Sequence, residues 1–144
     1  MKLLKIIGIT LAVLLFSQLN FAQAKITETT KAIKGSPAYA ELLLRKAELE
    51  SDVESFLVSY TEEYPKLKEV RFELDLINKD LAKLLTQSDA SRLTLALGKL
   101  MLRKNEIETS LWALKNQYGN EHPEVKRAQR KVLSFTNAIK EILP

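Results

Sequence analysis

The chain has 144 residues, 46% of them apolar and 28% charged, which suits one folded domain and argues against a disordered tract. Four glycines and four prolines favour helices over a turn-rich β fold, and the absence of cysteine excludes disulfides, thiolate chemistry and cysteine-ligated metals. The formal charge of +4 falls to about +2 once Lys2 and Lys5 are set aside, too balanced to indicate a nucleic-acid binder.

Met1 to Lys5 is basic, Ile6 to Phe16 is a largely apolar run of 11 residues, and polar Ser17, Gln18 and Asn20 lead to Ala22, Gln23 and Ala24. That order predicts a secretory signal peptide over 1–24, cleaved after Ala24. The run is short of the ~20 residues that span a bilayer comfortably. An uncleaved anchor in the inner membrane is the competing reading. The expected location is periplasmic or secreted, with a membrane role only if the segment stays in place.

Residues 25–35 are polar, hold three threonines and show no apolar period, which predicts a flexible leader. Ser36 and Pro37 then form a helix start, Ser as N-cap and Pro at the first helical position. Apolar residues at Tyr39, Leu42, Leu49, Val53, Phe56 and Tyr60 follow a helical spacing broken by Lys46. Pro65 cannot continue that helix but can open the next. Leu67, Val70, Leu74, Ile77, Leu81 and Leu84 keep an unbroken 3-4 spacing. A linker over 86–93 follows, in which Ser88 or Asp89 could cap a further helix.

The second half repeats the first. Tyr60 to Pro65 returns as Tyr118 to Pro123, 58 positions later, and residues 42–50 match residues 100–108 without a gap. The break at Lys46 recurs as Lys104. The predicted fold is therefore all-α, with four helices near 38–60, 66–85, 92–117 and 124–142. They make two duplicated antiparallel hairpins, 36–85 and 94–143, with coiled-coil or four-helix-bundle packing. The first hairpin carries a net −4 and the second +4, so the two are expected to pack on each other, within one chain or between two.

Lys46 and Lys104 occupy heptad positions that want an apolar side chain. They either set register or snorkel, burying the stem and leaving the ammonium in water. Asp80 is placed opposite Lys46 if the hairpin folds about residue 63. The turn motif comprises Tyr60, Tyr64, Pro65, Tyr118, His122 and Pro123. His122 stands where the first copy has Tyr64, which points to packing or a turn contact instead of ligation or proton transfer. Trp112, Phe72 and Leu76 lie off the seam. They are candidate partner-binding residues, with burial where the two hairpins meet as the favoured alternative. No nucleophile–base pair, phosphate-cradling glycine loop or metal-ligand pattern occurs, so no catalytic residue, cofactor or metal is expected.

The string from Leu114 to Val125, with Tyr118, His122 and Pro123 in a Tyr-x-x-x-His-Pro frame, resembles the periplasmic coiled-coil stretch of polysaccharide chain-length determinant proteins, the polysaccharide co-polymerases. Tyr60 to Leu67 is a looser copy. The resemblance covers about 28 residues in each half and implies a helix–turn–helix element. Those proteins carry two transmembrane helices around a larger domain, with a proline-rich segment near the second. Neither feature is found here, so the resemblance implies a shared hairpin in a stand-alone accessory protein. The chain also resembles short exported helical-repeat proteins of unknown role. The expected function is a non-enzymatic periplasmic scaffold or adaptor acting through coiled-coil contacts with a protein partner or in a homo-oligomer, beside envelope or exopolysaccharide assembly. The alternative is a small periplasmic chaperone with a helical cradle.

Overall fold

The computed structural model describes residues 26–143; the expected signal segment lies outside the described residues. Within them the protein is all-helical and contains no strand. Residues 26–34 are helical (α1). Then come α2 (Pro37–Ser59), α3 (Pro65–Leu85), a short 3-10 turn (Ala90–Arg92), α4 (Leu95–Gln117) and α5 (Pro123–Ile142).

Residues 26–34 form a helix where a flexible segment was predicted, so there are five helices instead of four. The reason is Ile33, whose side chain is fully buried in the main core. One anchor leaves no periodicity to detect, yet burying it stabilises the segment by about 1.5–3 kcal/mol.

Local chemistry sets the other boundaries. Ser36 caps α2 by accepting from the Tyr39 N–H at 3.3 Å, and Pro37 follows at the first helical position. Thr94 stands 58 positions on and caps α4 in the same way, accepting from the Leu97 N–H at 3.3 Å. Asp89, one of the two candidate caps, instead caps the 3-10 turn through the Ser91 N–H at 2.9 Å. The start of the third predicted helix therefore shifts from 92 to Leu95. Replacing Thr94 with alanine should cost about 1 kcal/mol, read from urea unfolding, because it strands an N–H at the helix start.

Tyr60 and Tyr118 end α2 and α4 in extended conformations, each donating its N–H to the helix at 2.8 Å. The prolines then restart the chain as α3 and α5. Both reversals are thus made by five residues, 60–64 and 118–122.

α2 packs along α3, and α4 packs along α5. The two pairs meet through α4, which also touches α2 and α3 and is the central helix. α5 leans chiefly on α4, so the helices do not close into a ring. The main core gathers Ala38, Leu42, Leu81, Leu84, Leu97, Met101 and Ile139 at the end away from the two turns. Leu93 from the linker joins it, and its carbonyl accepts from the Ala38 N–H at 3.1 Å. Leu67, Ile107, Val125 and Ala128 are buried outside that cluster, nearer the turns.

Candidate functional site

The two turns are built alike. Tyr60 stacks on Tyr64 with ring centres 4.0 Å apart and planes at 9°. Tyr118 stacks on His122 at 4.3 Å and 18°. The rings meet because both capping residues of each turn hold extended backbone, with φ/ψ of −132/156 at Tyr60 and −130/155 at Tyr118. Phe56 adds a third ring 5.7 Å from Tyr64, where the second copy has Leu114. An ion pair recurs too: Lys68 with Glu63, and Lys126 with Glu121 at 2.5 Å.

His122 does one thing Tyr64 does not. Its Nδ1 accepts from the Glu124 N–H at 3.2 Å, capping α5, while Tyr64 offers α3 no side-chain acceptor. The histidine therefore makes a turn contact, and its proton in the neutral ring sits on Nε2.

Two exposed carboxylates are held below their ordinary range. Glu63 is lowered chiefly by the hydrogen bond from Lys68, and Asp89 chiefly by the hydrogen bonds from Ser91. A depressed folded-state value means stability present above the unfolded value and lost as pH falls through the folded one. Carboxyl-carbon NMR titration should therefore place both midpoints below those of unfolded peptides. Removing Lys68 should raise Glu63 and leave Asp89 unmoved.

The two seam lysines part company. Lys46 reaches outward to Glu50 at 2.5 Å, its side chain 28% exposed. Lys104 is only 16% exposed and donates to Asn105 Oδ1 at 3.1 Å, with Glu108 at 3.2 Å and Asp80 at 3.8 Å. Asp80 was placed opposite Lys46; it lies instead against α4, where Asn105 Nδ2 donates to its Oδ2 at 2.9 Å. The cause is the stacking of α3 on α4, which turns the buried carboxylate between hairpins. Lys104 thus belongs to a polar cluster at the junction, and Lys46 snorkels.

Another tie escaped the sequence reading. Arg45 donates to Glu73 at 2.8 Å, joining α2 to α3, and that bond raises the guanidinium above its ordinary value. The repeat carries no signal of it, since the counterparts Arg103 and Lys131 are both cations.

Phe72 and Trp112 stack on each other at 5.2 Å and 16°, linking α3 to α4. Both are half-buried, as is Leu76. Phe72 and Trp112 of the candidate partner-binding set thus meet at the hairpin junction. Large apolar side chains lie exposed elsewhere, on the outer side of α2: Leu43 (48%), Leu44 (60%) and Val58 (86%). Among the described residues no cluster of His, Asp and Glu could hold a metal, and no helix is long and apolar enough to cross a membrane.

The fold and these surfaces define an all-helical protein whose paired helices stack through one central member. Compared with known proteins, the chain matches no family model, no curated protein and no solved structure.

Proposed function

We propose that the chain is an exported, non-enzymatic scaffold or adaptor, built from two duplicated antiparallel hairpins and acting through coiled-coil contacts between helices. The observation that carries this is the uncovered outer side of α2, where Leu43, Leu44, Leu57 and Val58 are exposed on a helix whose other side is packed. Exposed apolar side chains grouped on one face are the ordinary mark of a docking surface. The basic, apolar and small-residue order of residues 1–24 supports export. A place beside polysaccharide assembly is supported by the Tyr-x-x-x-His-Pro frame at Tyr118 to Pro123.

The same open face favours a second reading, a small chaperone that shields unfolded envelope proteins. Crosslinking through α2 in the native envelope separates the two. Capture of one defined envelope component supports the adaptor. Capture of many unrelated unfolded clients supports the chaperone. No captured protein at all would remove both.

A further inference from the structure

The 58-residue repeat allows each helix face to be compared with its counterpart. α4 receives the first hairpin on one face. There Gly98 approaches Ala38 and Glu41 of α2, Asn105 bonds Asp80, and Trp112 stacks on Phe72. Met101 on the same helix is buried, and Leu102 is partly so. The counterparts on α2 are Ala40, Ala47, Glu54, Leu43 and Leu44, all exposed. α2 therefore turns to solvent the face that α4 uses to receive a hairpin.

The converse holds at the far side. The first hairpin presents Glu41, Phe72, Glu69 and Glu73 to α4 or to the groove beside it. The counterparts in the second hairpin are Lys99, Arg130, Arg127 and Lys131, all exposed. Neither Glu54 nor Arg130 has an ion-pair partner among the described residues.

We infer that the chain binds a second copy of itself head to tail, the second hairpin of one copy seating on the outer face of α2 in the next. The docking repeats, between copies, the contact the two hairpins make within one. Arg130 then meets Glu54 of the next copy where Phe72 and Trp112 stack internally. Arg127 and Lys131 approach Glu48 of the next copy, in the place where Glu69 and Glu73 line a groove with Glu106. Charges that would be mismatched in a face-to-face pairing of two α2 helices become complementary in this arrangement. Such a contact is heterologous, so the assembly always keeps one free face of each kind, at opposite ends, and can grow.

This deepens the scaffold reading by naming a partner, and the test needs only the purified chain. Light scattering across a concentration series should show association that weakens when salt rises from about 0.05 M to about 1 M. Leu44→Glu spoils the receiving face and Arg130→Glu the docking face; both positions are exposed, and circular dichroism checks that helicity is kept. Each variant alone should associate at least about tenfold more weakly. An equal mixture should form a dimer and nothing larger, because one intact junction remains. A chain that stays monomeric, variants that associate like the parent, or a mixture without the dimer would overturn the inference. Because capture of a different envelope protein by crosslinking is a separate readout, that failure would leave the adaptor reading standing.

Discussion

Gly98→Ala is expected to destabilise the protein, although the same change in a lone helix would stabilise it by about 1 kcal/mol. Gly98 is buried where α4 crosses α2. A Cβ there would lie 3.0 Å from Ala38 Cα, 3.1 Å from Glu41 Cβ and 3.3 Å from the Ala38 carbonyl oxygen. Two of those three atoms are backbone and cannot rotate away, so the hairpins must separate to admit it. Overpacking of this kind costs about 1–3 kcal/mol and outweighs the gain in helix propensity. Gly98→Leu should cost more than Gly98→Ala, because its further atoms have no room beyond the first. Gly119→Ala is the control, since nothing lies within 4 Å of its added Cβ. That change should be neutral, or stabilising by up to about 1 kcal/mol through the unfolded state. Urea unfolding of the three variants decides the matter. A Gly98→Ala protein more stable than its parent would mean that the two hairpins do not approach closely there.

The features legible in the sequence were local ones. Pro65 and Pro123 fix where helices restart, and the 3-4 spacing from Leu67 to Leu84 fixes which side of α3 is buried. The tyrosine-proline frame marked both turns, though the ring stacking within them depends on backbone angles that spacing does not encode. The contacts between hairpins were illegible for a physical reason. A repeat predicts equivalent partners for equivalent residues, but stacking two copies buries one face of α4 and leaves its counterpart on α2 exposed. Asp80 was therefore matched to Lys46, when its neighbours come from the other copy. The opposite net charges also misled in part. Among the described ion pairs only Lys104 with Asp80, at 3.8 Å, crosses between hairpins; the rest lie within a helix, a turn or a hairpin. The junction is instead made by the apolar core that Leu42, Leu81 and Leu84 share with Leu97 and Met101, by Phe72 on Trp112, by Gly98 on Ala38, and by one buried amide.

That amide supplies the second large effect. Asn105 is fully buried, donates to Asp80 and accepts from Lys104. Asn105→Ala removes a hydrogen bond to a carboxylate whose side chain is only 12% exposed, and should cost about 2–3 kcal/mol. Asp80→Ala leaves the Asn105 amide without its acceptor and should cost about 1–3 kcal/mol. The double replacement is expected to cost less than the two together, by about 1–3 kcal/mol, because no polar group is then stranded against the other helix. Asp80→Asn separates charge from hydrogen bonding, since it can still accept from Asn105 but no longer attracts Lys104. It should fall between the parent and Asp80→Ala. The cycle is read from urea unfolding at neutral pH, with equal m-values confirming a common unfolded state. Strictly additive single losses would mean that Asp80 and Asn105 are held independently, and the hydrogen bond between the hairpins would then contribute nothing to their stacking.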